Sequence, residues 1–99
     1  MYIMTLKKEL KTVIVEGLNL VDIEPDDIKD DDPLFGEKFG LDSIDAVEVI
    51  YQVKEHFGVA IRDMKEGRPA LQSINTLTAF IEKRRAATSS FHFQQHKAV

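Results

Sequence analysis

Leu6, Leu10, Val13, Ile14 and Leu18 recur at helical spacing, with Lys7, Lys8, Lys11 and Glu16 largely outside that stripe. The pattern predicts a first helix over residues 5–18, capped by Thr5 and ended by Gly17, Asn19 and Pro25. Residues 20–41 are too polar, and too interrupted by Pro25, Pro33, Gly36 and Gly40, for a long helix. They still carry Leu20, Val21, Ile23, Ile28, Leu34, Phe35, Phe39 and Leu41, so the segment is expected to pack over the core, with a helical turn beginning at Pro25. A second helix is predicted over residues 43–57, capped by Asp42, supported by Asp45 in its first turn and stopped at Gly58. After an extended link at Val59, Ala60 and Ile61, a short helix over 62–66 is expected to stop at Gly67 and Pro69. A last helix should start near Asn75 or Thr76 and end near Ala87, with Leu77, Phe80 and Ile81 inward. Residues 1–87 are read as one domain and 88–99 as a polar, disordered tail.

The second helix has two apolar faces. Ala46, Val49, Ile50, Val53 and Phe57 share a core stripe at about 100° per residue, and Ile44, Val47 and Tyr51 form a second stripe about 140° away. Glu48 and Glu55 flank the second stripe on one side and Lys54 on the other. A small helical domain can hardly bury both faces. The second is covered by the long connection, or is a set of scattered exposed apolar residues without a role, or is an apolar docking strip with acidic edges.

Composition narrows the class. The 99 residues are 43% hydrophobic, enough for one folded domain with a modest core, and helical spacing makes the fold class all-α. The net charge of −4 is mostly local: Asp22, Glu24, Asp26, Asp27, Asp30, Asp31 and Asp32 surround only Lys29. Such a chain repels nucleic acid and anionic lipid and attracts basic protein surfaces. Cysteine is absent, which excludes disulfides, a thiolate nucleophile and cysteine-based zinc sites. No membrane span or signal peptide is legible, so a cytoplasmic location is expected.

Ser43 is the candidate for chemistry. A hydroxyl at a helix start lies where unpaired N–H groups and the helix dipole favour negative charge, so a phosphate ester there would occupy an anion-friendly position. No His or Lys adjoins it in sequence to serve as a base, so nothing marks it as a catalytic nucleophile.

The stretch 34–58, with Gly40-Leu41-Asp42-Ser43-Ile44-Asp45, Val47-Glu48 and Phe57-Gly58, resembles the acyl carrier proteins, and the order of elements agrees over residues 5–87. The resemblance implies a four-helix bundle with a long loop between helices 1 and 2 and a short third helix. It implies a 4'-phosphopantetheine arm, taken from coenzyme A, on Ser43, whose thiol carries acyl groups as thioesters. The protein would then be a monomeric carrier and a covalent substrate of other enzymes rather than an enzyme, with no catalytic residue and no metal. The implied partners are a phosphopantetheinyl transferase and acyl-loading or acyl-using enzymes such as ligases, ketosynthases or acyltransferases, in a fatty-acid, polyketide-like or lipid-modification pathway. Asp42 would cap the helix and take part in transferase recognition. Ile44, Asp45, Val47, Glu48, Tyr51 and Glu55 would meet partners, and Val47, Ile61 and Leu77 would contact the arm or acyl chain.

Departures from the family pattern point to a specialised carrier, and the run Leu34-Phe35-Gly36-Glu37 before Gly40 resembles carriers of aryl-polyene or other polyketide-like and lipid-modifying clusters. Ile44 replaces the usual Leu, Lys54 stands where an acid is common, Arg62 follows Ile61 where proline is frequent, and the 64–73 segment is long and carries Arg68 and Pro69. A peptidyl or D-alanyl carrier shares fold and arm, and a non-covalent helical adaptor would use the second stripe without Ser43. A calcium loop starting at Asp22 fails at its sixth position, Asp27, and its twelfth, Pro33. His92 and His96 are four apart but lack the Glu that a zinc protease needs.

Overall fold

The computed structural model describes residues 5–98, with side chains described through Ala86. Its elements are α1 (Leu6–Gly17), a single 3-10 turn (Pro25–Asp27), α2 (Ser43–Phe57), α3 (Met64–Ala70) and α4 (Ile74–Ala98). There is no strand among the described residues, only an isolated antiparallel bridge between Gly36 and Leu41. The all-α, four-helix reading therefore holds.

α1 starts as its sequence demands: the Thr5 hydroxyl accepts from the Lys8 N–H at 3.2 Å. It packs against both α2 and α4, and α3 packs against α4. Leu10, Ile14, Val49, Val53, Ile74, Leu77 and Ile81 form the fully buried centre. Val15, outside the expected stripe of α1, is also buried, whereas Leu6, Val13 and Leu18 pack only at its edge.

The connection from 20 to 41 packs over the core through Ile28 and Leu34. Two backbone bonds tie it to the α3–α4 junction: Leu34 N–H to the Gln72 carbonyl at 2.9 Å, and Asn75 N–H to the Asp30 carbonyl at 3.0 Å. Ion pairs tie it to α1, with Lys8 on Asp26 at 2.6 Å and Lys11 on Asp30 at 2.8 Å.

Two boundaries differ from expectation. α3 runs through Gly67 and Pro69 instead of stopping there. Gly67 is a point of close packing: a Cβ on it would lie 3.0 Å from Ile61 Cγ2. Pro69 removes one late N–H, which would have faced the carbonyl of the exposed Lys65, where water can replace the bond. α4 begins at Ile74, one residue before the predicted start, because Ser73 and Thr76 bond reciprocally: the Ser73 hydroxyl accepts from Thr76 N–H at 3.2 Å and the Thr76 hydroxyl accepts from Ser73 N–H at 2.9 Å. The same helix continues to Ala98, past the end predicted near Ala87. The expected disordered tail at 88–99, with His92 and His96, lies outside the residues described with side chains.

Candidate functional site

The chain reaches Ser43 through a tight reversal. Gly36 and Gly40 take φ of 120° and 68°, conformations that side chains rarely allow, and Gly36 N–H bonds the Leu41 carbonyl at 3.0 Å. Leu41 is buried. Asp42 then leaves in an extended conformation and caps α2. Its Oδ1 accepts from Ile44 N–H at 3.0 Å and Asp45 N–H at 3.2 Å, and Asp45 Oδ2 accepts from Asp42 N–H at 2.9 Å. This is a capping box built from two aspartates.

Ser43 is thereby fixed as the first residue of α2, exposed to solvent. It borders an open cavity of about 610 Å³ lined by the end of the long connection, the start of α2, α3 and the α3–α4 junction. The apolar wall is Pro33, Phe35, Ala46, Met64 and Leu71; the polar groups are Asp31, Asp42, Arg68, Gln72, Ser73 and Ser43 itself. No His or Lys among the described residues lines it. Its two carboxylates, Asp31 and Asp42, accept hydrogen bonds from Asn75 and from the first turn of α2, so no free base adjoins the serine among the described residues.

The second stripe of α2 is open to solvent. Ile44 is 78% exposed, Val47 64% and Tyr51 55%, so the long connection does not cover them. Glu55 and Lys54 are exposed at its edges, while Glu48 is half-buried and accepts from Gln52 Nε2 at 2.8 Å. The core stripe is buried as expected, except that Ile50 is only half-buried.

The three residues expected beside an arm or acyl chain do not line the cavity next to Ser43. Val47 projects on the outer stripe, and Ile61 and Leu77 are spent in the core. The cavity is lined instead by Phe35, Ala46, Met64, Arg68 and Leu71, which the sequence reading did not gather as a site. Arg68 had drawn notice only as a departure from the family pattern. Helical phase around Ala46 is the one signal that could have found part of this wall. The contribution of α3 was hidden once Gly67 and Pro69 were read as stops.

Three acids of the long connection are engaged. Hydrogen bonds from Lys8 to Asp26, from Lys11 to Asp30 and from the Lys29 N–H to Asp32 hold all three carboxyls below their ordinary value. Among the described residues, no group of three or more His, Asp or Glu could hold a metal ion. No helix among them is long and apolar enough to cross a membrane.

Residues 8–65 match a family model described as "Phosphopantetheine attachment site". The chain is similar to the acyl carrier protein of Sulfurovum sp. (strain NBC37-1), 35% identical over 79 residues, which cover 80% of this chain and 97% of that one. It is also similar to those of Solidesulfovibrio magneticus, 32% identical over 84 residues with 83% and 97% covered, and Campylobacter hominis, 35% identical over 75 residues with 76% and 87% covered.

Proposed function

This chain belongs to the acyl carrier proteins, whose prosthetic group is 4'-phosphopantetheine, and from that premise we propose that Ser43 is the attachment point and that the protein presents acyl groups to partner enzymes. One observation carries the assignment: Ser43 is an exposed serine at the first position of a firmly capped helix, beside an open cavity with a long apolar wall. These residues fit the group. The hydroxyl is accessible for esterification, and the wall of Phe35, Ala46, Met64 and Leu71 offers apolar surface to a flexible chain anchored there.

When bound, the group supplies a thiol that holds acyl cargo as a thioester. In its attachment, Ser43 Oγ bonds to the phosphorus of coenzyme A, the pyrophosphate P–O bond breaks, and adenosine bisphosphate leaves. The serine proton would pass to a base of the transferase, since no His or Lys among the described residues lines the cavity and its two carboxylates already accept hydrogen bonds.

The chain's own residues hold and present. Asp42 and Asp45 fix the serine and offer carboxylates to a transferase. Ile44, Val47 and Tyr51 give partners an apolar strip, and Glu48 and Glu55 draw basic partner surfaces to it. Partners would include a phosphopantetheinyl transferase and ligases, ketosynthases or acyltransferases; dependence on coenzyme A supports a cytoplasmic setting. The exposed Lys54 and Arg68 support a carrier with its own partner set rather than the general carrier of fatty-acid synthesis.

Treatment with coenzyme A and a broad-specificity transferase should add one phosphopantetheine to the wild type and none to Ser43→Ala, read by intact-protein mass spectrometry. An unmodified wild type, or a modified alanine variant, would overturn the assignment.

A further inference from the structure

Arg68 lines the same cavity as Ser43 and is the only basic residue among the described residues that does so. It is exposed on α3 and has no ion pair or side-chain hydrogen bond among the described residues. Several other cations are committed: Lys7, Lys8 and Lys11 to the aspartates of the long connection, Lys38 to Asp32, and Arg84 to Glu66. The cavity's two acids are also committed. Asp31 accepts from the Asn75 side-chain amide, and Asp42 accepts from the N–H groups of Ile44 and Asp45. An uncommitted guanidinium therefore shares a cavity with the serine and two engaged carboxylates.

A phosphodiester on Ser43 carries one negative charge at neutral pH and adds it to a cavity already holding Asp31 and Asp42. The backbone offers little compensation, because the Asp42 carboxylate has taken two N–H groups of the first turn. Among the described residues, the cationic donor lining the cavity is the planar guanidinium fork of Arg68, whose geometry suits phosphate oxygens. We propose that Arg68 is a positioning residue that pairs with the phosphodiester on Ser43 and turns the root of the arm toward the apolar wall rather than into solvent. The inference rests on Ser43 being the attachment point. The phosphodiester is preferred to an anionic cargo terminus because it is fixed one bond from Ser43 in every loaded form, whereas a cargo terminus is a whole arm away.

The test loads wild type, Arg68→Gln and Arg68→Lys with coenzyme A and a broad-specificity transferase, with mass spectrometry confirming the added group. Phosphorus NMR then reads the phosphodiester, and nitrogen–proton NMR reads the Arg68 Nε–H before and after loading. Loading should shift the Arg68 Nε–H resonance. The phosphorus resonance should differ between wild type and Arg68→Gln, with Arg68→Lys restoring part of the wild-type position and added salt shrinking the difference. Identical phosphorus resonances in loaded wild type and Arg68→Gln, or an Arg68 Nε–H indifferent to loading, would overturn the pairing while leaving Ser43 as the attachment point. So would an Nε–H that responds only when a dicarboxylic acyl group is loaded, which would assign Arg68 to the cargo. Absence of any mass gain on the wild type would instead remove the serine assignment, and this inference with it.

Discussion

The carboxylate of Asp42 accepts from two backbone N–H groups, and Asp45 returns a bond to the N–H of Asp42. Replacing Asp42 by Ala orphans two donors and removes a favourable charge from the positive end of α2. The expected cost is about 1 kcal/mol of folding stability, with Asn restoring most of it. Urea unfolding of the two variants checks this; an alanine variant as stable as wild type would show that the cap contributes nothing. This part of the molecule was legible in the sequence because an aspartate before an apolar run, with an acid three residues on, specifies a helix start by local chemistry alone. The identity of the cavity wall was not legible, since Phe35, Met64 and Leu71 come together only through tertiary packing.

Each face of α2 has a different duty. Ala46, Val49, Val53 and Phe57 are buried, while Ile44, Val47 and Tyr51 stand in water. A Val47→Asp change should leave stability within about 0.5 kcal/mol of wild type, as surface substitutions do, yet slow modification of Ser43 by the transferase. Kinetics with purified transferase, beside a urea titration, separate the two effects; an unchanged modification rate would show that this strip does not guide the transferase. The wheel arithmetic exposed the second stripe, and the structure shows that the long connection does not cover it. α3 was less legible. Glycine and proline in a short segment read as punctuation, but Gly67 is required by the nearness of Ile61, and Pro69 sits where a lost bond is cheap. The same letters report termination or close packing, and only the neighbour across the gap decides which.

The whole molecule is held together in two ways: an apolar centre, and an acidic connection strapped to it by charge. Asp26, Asp30 and Asp32 are held below their ordinary value of 3.8 by hydrogen bonds and by the lysine charges around them. Their contacts add stability that is fully present above the unfolded value and is lost as pH falls through the lower folded values. Acidification below 3.8 should therefore loosen residues 20–41 before the helices melt, with salt weakening the same contacts at neutral pH. Amide-exchange protection at Ile28, Asp32 and Asn75 compared with Val49 and Val53 checks this; protection lost in step at both sets would mean that the straps carry no separate share. The acidity of this segment was plain in the sequence, but its pairing with α1 lysines up to 23 residues away was not. Nor were the backbone bonds from Leu34 to Gln72 and from Asn75 to Asp30, for which the sequence carries no local signature.

The footing of Ser43 has a further consequence, in the mechanics of tethers. Two reciprocal aspartate bonds, a buried leucine and a backbone bridge leave the serine almost no slack. Whatever group it carries draws its freedom from its own torsions and none from the protein beneath. A partner seated on the outer face of α2 would then sample that group at an effective concentration set by the arm's length and its contacts, with no dilution from a moving base. A looser footing would spread the same molecule through a larger volume and dilute it, with no change in any contact.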